Sequence, residues 1–226
     1  ITRTDGNAST WILESAYTGT MDGIGFSDIQ IITAGAEAGA NTLTGPDANT
    51  TWSITAANEG AVADADTSAP IASFYNMQNL VGGSGADTFN LASGSSVTSL
   101  DGGDTGTNTL TGTTAGDAFV LNGDNSGSIT GILDSFSRIS ALDGGSTGGN
   151  TLTGANSATT WAITSVNAGS LDNGMTFSNF SDLVGGTAVD TFNLTSGSSV
   201  TSLDGGDGDD SFSLDGAGLV TTSIDG

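Results

Sequence analysis

The residues with the clearest chemical potential in this sequence are aspartates that follow pairs of glycines. The stretches GGSGADTFN at 82–90 and GGDGDDSFS at 205–213 each place an Asp at the sixth position. GGTAVDTFN at 185–193 does the same, with Ala188 where the other two have a fourth-position glycine. Ca²⁺ takes about six to eight oxygen ligands, and carboxylates supply the opposing charge. This spacing therefore predicts calcium at the glycine corners, most strongly in LDGGDGDD at 203–210.

The predicted metal ligands fall into two groups. The sixth-position residues are Asp87, Asp190 and Asp210. Aspartates that could add further oxygen atoms nearby are Asp101, Asp104, Asp204, Asp207 and Asp209. Two other corners, at 102–110 and 144–152, carry Asn108 or Asn150 where the aspartate would stand. Calcium is the one cofactor that these residues predict, and no catalytic residue is assigned.

A purely structural role for the same corners is the alternative hypothesis. Glycine supplies positive φ at a tight corner whether or not a metal is bound. Asp and Asn also favour turns because their side chains hydrogen-bond to nearby backbone groups. The sequence alone leaves both hypotheses open.

Composition excludes several other functions. The chain has 25 acidic residues against two basic ones, Arg3 and Arg138, and a formal net charge of −23. We expect no nucleic acid partner, because phosphate backbones need many cationic contacts. We expect no enzyme activity either, because the absence of His, Cys and Lys removes the usual general base, thiol nucleophile and amine. No apolar run reaches about eighteen residues, so membrane insertion is not expected.

Apolar-x-Gly-Gly corners recur along the chain at a regular spacing. They are LVGG at 80 and 183 and LDGG at 100, 142 and 203. Successive corners are separated by one or two multiples of about 20.5 residues, which indicates a coiled repeat. The interval from Ile32 to Leu80 fits two such coils with a six-residue loop insertion around AVADADTSAP. The leucines of the five corners are expected to form one interior column.

The residues between corners alternate as in β-strands. In Thr88-Phe89-Asn90-Leu91 the two apolar side chains point to one face and the two polar ones to the other. Such short strands joined by glycine corners predict an all-β fold, a parallel β-helix or solenoid with about 20–21 residues per rung. We expect Phe89, Phe192 and Phe212 to stack inside it. Trp52 and Trp161 are expected in neighbouring rungs, as core residues in preference to a sugar-stacking platform.

Longer near-identical cassettes overlie this repeat. NTLTG occurs at 41, 108 and 150, and DTFNL begins two closely similar stretches at 87–104 and 190–207. We predict a single continuous solenoid over 1–226. It would be built of a partial cassette at 1–40, a complete one at 41–149 and a partial one at 150–226.

The glycine–aspartate corners resemble the calcium-binding nonapeptides of repeats-in-toxin, or hemolysin-type, proteins. In that family, tandem loops of successive coils share each calcium ion through backbone carbonyls and the sixth-position Asp. Here one such loop occurs per rung, so the resemblance implies a metal ladder on at most one side.

The cassette duplication, the acidity and the absence of Cys and Lys also resemble large bacterial extracellular β-solenoid proteins of the adhesin or surface-filament type. That resemblance implies a stiff rod at the cell surface that stacks end to end or continues into neighbouring repeats of the same chain, with surface glycans as a further partner to test. A calcium-binding module is the first alternative. The second is an ice-binding solenoid, because outward Thr pairs such as Thr42/Thr44, Thr109/Thr111 and Thr151/Thr153 resemble its flat Thr ranks.

Overall fold

The computed structural model describes residues 1–4, 7–35, 40–114, 116–146 and 148–226. All regular secondary structure in these residues is β-structure. No helix among them is long and apolar enough to cross a membrane. The all-β class predicted from the sequence is therefore confirmed.

The strands are short and follow one another closely. The first twelve are β1 (Thr10–Ser15), β2 (Thr18–Met21), β3 (Ile24–Phe26), β4 (Ile31–Thr33), β5 (Thr42–Thr44), β6 (Thr50–Ala56), β7 (Glu59–Asp64), β8 (Pro70–Tyr75), β9 (Asn79–Val81), β10 (Thr88–Leu91), β11 (Val97–Asp101) and β12 (Thr109–Thr111). The others are β13 (Ala118–Gly123), β14 (Ser126–Ile129), β15 (Leu133–Ser137), β16 (Ala141–Asp143), β17 (Thr151–Thr153), β18 (Thr160–Ser165), β19 (Ala168–Leu171), β20 (Thr176–Ser178), β21 (Asp182–Gly186), β22 (Thr191–Leu194), β23 (Ser199–Gly206), β24 (Ser211–Leu214) and β25 (Leu219–Asp225).

The chain forms two compact units. Unit 1 comprises Ile1–Thr111 and Gly131–Ile139, and unit 2 comprises Gly112–Thr130 and Ser140–Gly226. In unit 1 one sheet has the strand order β15-β11-β9-β5-β1-β2-β3 and the other β12-β10-β6-β7-β8-β4. In unit 2 the corresponding orders are β25-β23-β21-β17-β13-β14 and β24-β22-β18-β19-β20-β16. Most neighbouring strands are parallel, as expected for a solenoid.

The predicted rung length is confirmed where a rung contains one strand from each sheet. In unit 1, Leu80 pairs with Leu100 and Phe89 with Leu110. In unit 2, Leu183 pairs with Leu203 and Phe192 with Phe212. Identical registers in successive rungs stack like side chains, which builds the continuous interior columns that a repeat architecture needs.

Antiparallel meanders make the other rungs longer. In unit 1, β1, β2 and β3 form one and β6, β7 and β8 form another, and in unit 2 β18, β19 and β20 form one. The strands of β6–β8 and β18–β20 lie within the sheets, between parallel neighbours. The predicted loop insertion around AVADADTSAP is therefore wrong, because these residues belong to β7, β8 and the turn that joins them.

The meanders also correct the predicted column of five leucines. Leu142 pairs with Phe177 in one sheet of unit 2, whereas Leu183 and Leu203 pair in the other. The chain changes sheet at each glycine corner, but a meander keeps three successive strands in one sheet. Between Leu142 and Leu183 the chain therefore changes sheet three times, from β16 to β17, from β17 to β18 and from β20 to β21. The two leucines consequently lie in opposite sheets.

Aromatic side chains fill the interior as predicted. Trp52 and Phe89 stack in unit 1 with ring centroids 5.5 Å apart, and both are fully buried. In unit 2, Trp161 stacks on Phe192 at 5.3 Å, and Phe192 stacks on Phe212 at 5.2 Å, although Phe212 is only half-buried. Offset or parallel aromatic contacts at such distances stabilise a core beyond the burial of area alone. The tryptophans are core residues.

Candidate functional site

Each Gly-Gly corner turns the chain from one sheet to the other, and its two glycines serve different purposes. The second glycine takes positive φ, 119° at Gly83 and 96° at Gly103, where side chains are disfavoured. The first has no room for a side chain. A Cβ atom on Gly82 would collide with Asp87 Oδ2 and with the carbonyl oxygen of Gly102 in the next rung. Both glycines are thus required by the backbone and its packing.

A row of polar side chains runs through the interior beneath these corners. In unit 1 it contains Thr50, Asp87 and Asn108, which lie in successive rungs. Thr50 donates its backbone N–H to Asp87 Oδ1 (3.0 Å) and also donates its hydroxyl to that oxygen. Asp87 in turn donates its N–H to Asn108 Oδ1 (2.9 Å). In each step, a backbone N–H of one rung donates a hydrogen bond to a side-chain oxygen of the next rung. We call this row, and the equivalent rows of each unit described next, the polar ladder.

The same arrangement recurs elsewhere in each unit. In unit 1, Ser9 donates to Asn41 Oδ1 through both its N–H (3.0 Å) and its hydroxyl (2.9 Å). In unit 2, Asp117 donates its N–H to Asn150 Oδ1 (2.9 Å). A second row in that unit joins Thr159 to Asp190 and Asp190 to Asp210, each through an N–H to Oδ1 bond of 2.8 Å.

Two predicted calcium ligands, Asp87 and Asp190, belong to this ladder. Both have 0% exposure, so their carboxyl groups point into the core. Burial raises the pKa of Asp87 above its ordinary value, against the opposing effect of the hydrogen bonds from Thr50. Burial also raises the pKa of Asp190, and the negative charges of Asp210 and Asp172 act in the same direction. These environments favour the neutral acid.

Two more of the predicted ligands face outward and pair with an arginine. Arg138 donates Nε (2.5 Å) and Nη2 (2.6 Å) to the two carboxylate oxygens of Asp101, and Nη1 (3.0 Å) to Asp104. The hydrogen bonds that Arg138 donates to Asp101 are the main cause that raises the pKa of the guanidinium. The bidentate fork holds this corner in place and uses the carboxylate oxygens that a cation would need.

The remaining predicted ligands lie in the exposed run 203–210. Asp204, Asp207 and Asp209 face solvent, and Asp204 Oδ1 accepts the N–H of Gly206 at 2.9 Å. Asp210 is half-buried and accepts from Asp190, while its Oδ2 has no hydrogen-bond partner among the described residues. In the described part of the chain, no three Asp, Glu, His or Cys side chains come together in an arrangement that would hold a metal ion. Calcium binding here stays a prediction.

The outward Thr ranks are divided between sheets. In unit 1, Thr88 pairs with Thr109 and Asn90 with Thr111, but Thr42 and Thr44 lie in the other sheet. In unit 2, Thr151 and Thr153 lie in the sheet opposite to Thr191 and Asn193. The flat array that ice binding would use is thus short within each sheet.

The polar ladder as a whole was missed by reasoning from motifs, although a signal for it exists in the sequence. Its members stand two positions before a large inward side chain, as in Asp87-Thr88-Phe89 and Asn108-Thr109-Leu110. Counting the strand alternation back from the inward residue places them on the interior face.

No protein-family model, curated protein or solved structure matches this chain.

Proposed function

We propose that this chain is a structural repeat segment of a bacterial extracellular adhesin or surface filament, with no catalytic activity. Two features support a scaffold role. The interior of each unit is filled by stacked aromatic and aliphatic side chains together with the polar ladder. The strongly acidic composition suits a saline exterior, where charge keeps the folded chain soluble.

The end rung of unit 2 is the observation that carries the proposal. β24 and β25 lie at the ends of their sheets. Leu214 is in register with Leu194, and Ile224 with Leu203. The inner partners are 1% and 0% exposed, whereas Leu214 is 44% and Ile224 is 46% exposed. Side chains in register with buried core residues are thus exposed in the end rung.

This end rung fits a further rung of the same repeat. Unpaired strand edges offer backbone hydrogen-bonding groups to another strand, and the uncovered apolar side chains favour its association. The partner is a neighbouring repeat of the same chain or a second copy that stacks end to end. The net charge of −23 opposes non-specific association, and screening at physiological ionic strength limits that repulsion to about 8 Å.

Sedimentation velocity over a range of concentrations tests self-association. The wild-type chain is expected to form larger species as concentration and salt rise. Leu214→Glu with Ile224→Glu should keep the chain monomeric, because two carboxylates would lie where the next rung packs.

The matched control is Ser213→Glu with Ser223→Glu. It adds the same charge at exposed positions of the same two strands and should associate like the wild type. A wild-type chain that stays monomeric at high concentration in salt would contradict end-to-end stacking.

A calcium-binding module is the second candidate, and it is favoured by Asp210. Its Oδ2 has no hydrogen-bond partner among the described residues, and the exposed Asp207 and Asp209 are close to it in the chain. Carboxylates so close in the chain repel one another when they approach, unless a cation offsets their charge.

A further inference from the structure

Asparagines in the polar ladder use both ends of their side-chain amide. Asn108 accepts the N–H of Asp87 at Oδ1 and donates Nδ2 to the carbonyl oxygen of Arg138 (3.1 Å). Asn150 likewise accepts from Asp117 and donates Nδ2 to the carbonyl oxygen of Asn179 (2.9 Å). The ladder position therefore requires an acceptor toward one rung and a donor toward the other.

Asp87 occupies the same position but offers two oxygens. Its Oδ1 accepts from Thr50, as an asparagine oxygen would. Its Oδ2 has no hydrogen-bond partner among the described residues, although the side chain is fully buried. An ionised carboxylate has no hydrogen to donate.

The corner glycines show what Oδ2 faces. A Cβ on Gly102 would collide with Asn108 Nδ2 and with the Arg138 carbonyl oxygen, which are donor and acceptor of one hydrogen bond. A Cβ on Gly82 would collide in the same way with Asp87 Oδ2 and the Gly102 carbonyl oxygen. Asp87 thus places an oxygen opposite a carbonyl oxygen where Asn108 places a donor. Two acceptors so arranged in the core repel each other unless a hydrogen lies between them.

We propose that Asp87 is protonated on Oδ2 at neutral pH and that this O–H donates a hydrogen bond to the carbonyl oxygen of Gly102. A neutral aspartic acid then does in this rung what asparagine does in the next. Its hydrogen-bond partners Thr50 and Asn108 and the adjacent backbone of Gly82 and Gly102 are all neutral.

The charged groups of the adjacent corner do not offset a negative charge on Asp87. Asp101, Asp104 and Arg138 lie there, and the arginine is bound to both carboxylates at the surface. An ionised Asp87 would therefore be a buried charge without a counter-ion, which is costly.

The sign of the pH dependence follows from the direction of the shift. Burial raises the pKa of Asp87 in the folded state, whereas the unfolded chain has the ordinary value of about 3.9. Asp87 thus contributes stability that is fully present below that ordinary value and is lost as pH rises through the raised pKa. The folded unit should be more stable in mild acid than at neutral pH as far as this residue is concerned.

The test compares the wild type with Asp87→Asn by thermal unfolding between about pH 4 and pH 8, in the presence of a chelator. The variant keeps the acceptor and supplies a permanent donor, so the two proteins should melt alike in acid. At pH 8 the variant should melt higher by at least about 2–4 °C, the size of shift that one modest interaction gives in a chain of this length.

Two controls make the result specific. Asp64→Asn alters a surface carboxylate whose pKa is lowered by hydrogen bonds from Thr67. Its contribution to stability is lost only as pH falls below the ordinary value of about 3.9, so its melting difference from the wild type should not change between about pH 4 and pH 8. Infrared spectroscopy should show a protonated carboxyl band at neutral pH that loses intensity in Asp87→Asn, while the contribution of Asp190 remains.

A melting difference that does not grow with pH, or a variant less stable than the wild type at pH 8, would overturn the proposal. So would stabilisation of the wild type, but not of Asp87→Asn, by calcium at pH 8, because a cation would then occupy the place assigned to the proton.

Discussion

At the scale of single residues, the hydroxyl two positions before Trp11 and before Trp52 connects each of these buried rings of unit 1 to the polar ladder. Trp52 donates Nε1 to Thr50 Oγ1 (2.7 Å), and that hydroxyl donates to Asp87. Trp11 makes the equivalent bond to Ser9 Oγ (2.7 Å), which donates to Asn41. Such an acceptor stabilises a buried indole N–H, and Trp161 Nε1 in unit 2 has none among the described residues. One hydroxyl thus satisfies two buried groups.

Replacing Thr50 by Val should therefore be costly in unit 1. It leaves Trp52 Nε1 without its acceptor and removes one donor from Asp87, while the shape of the side chain is nearly kept. We expect a loss of about 1–3 kcal/mol in the free energy of unfolding, measured by chemical denaturation. Thr51→Val, on the outward face of the same strand, should change stability by no more than about 0.5 kcal/mol. Equal losses in the two variants would contradict the role given to the hydroxyl.

Phe89 and Phe212 give a second comparison at this scale. Phe89 is fully buried against Trp52, whereas Phe212 is half-buried in the end rung. Phe89→Ala should reduce the free energy of unfolding by about 3–5 kcal/mol, since it removes a ring and leaves a cavity. Phe212→Ala should cost clearly less. A loss at Phe89 no larger than that at Phe212 would place the Phe89 ring outside the core.

At the scale of secondary-structure elements, the meanders depend on a glycine in the middle strand. Gly60 of β7 lies opposite Phe74 of β8, and a Cβ there would collide with the Ser53 carbonyl oxygen and the Phe74 ring. Gly169 of β19 meets the Ala162 carbonyl and the Phe177 ring in the same way. The aromatic side chain of the third strand therefore covers the glycine of the second.

Gly60→Ala should destabilise the meander because the ring and the strand must both shift. We expect a loss of about 1–3 kcal/mol in thermal or chemical unfolding. Gly25→Ala in β3 is the control, because no atom lies within 4 Å of the Cβ position there. It should be neutral or stabilising by about 0.4–1 kcal/mol. A neutral Gly60→Ala would show that the strands can separate without cost.

These elements show how far the sequence predicts this fold. The rung length could be read from the interval between Leu80 and Leu100, because parallel stacking repeats it directly. The meanders could not be read from periodicity, since parallel and antiparallel strands share the same two-residue alternation and a rung with a meander resembles two plain rungs in length. A local signal was present in Asn58-Glu59-Gly60 and Asn167-Ala168-Gly169, where the asparagine adopts positive φ at the first hairpin turn.

The sequence predicts only part of the candidate site, because the stacking of rungs brings together residues that are distant in the chain. The corner motif singles out the sixth-position aspartates as candidate ligands. In the structure the two buried ones, Asp87 and Asp190, accept hydrogen bonds from Thr50 and Thr159. Their inward direction follows from the spacing to Phe89 and Phe192. Their hydrogen-bond partners, Thr50 and Thr159, come from other rungs that are distant in the chain. Only the stacking of rungs brings those partners together, so local motifs could not name them.

At the scale of the whole molecule, the main electrostatic feature is the excess of negative charge. The chain has twenty-five acidic residues and two arginines, and one of these, Arg138, forms salt bridges with Asp101 and Asp104. Self-repulsion of the unpaired carboxylates opposes the compact state and is weakened by salt or by bound cations.

Calcium titration at constant ionic strength tests the specific part of this effect. If the run 203–210 binds calcium, the melting temperature should rise over the millimolar range, a concentration typical of extracellular sites of about 10⁻⁴–10⁻³ M affinity. Asp207→Asn with Asp210→Asn should abolish the rise, while Asp124→Asn with Asp134→Asn, which removes the same charge elsewhere, should not. An unchanged melt in calcium would leave the corners as purely structural turns.

The meanders also set the order in which the chain can fold. Trp52 of β6 pairs with Val62 of β7, ten positions along the chain, whereas its parallel partner Phe89 is thirty-seven positions away. Hairpins form within about 1–10 μs, and contacts distant in sequence form later because the chain between them must first lose its freedom. β6–β8 in unit 1 and β18–β20 in unit 2 are therefore local nuclei onto which the parallel strands can add one at a time. Each unit carries its own starting point for folding, and a partly synthesised chain can begin to fold as soon as one meander has emerged.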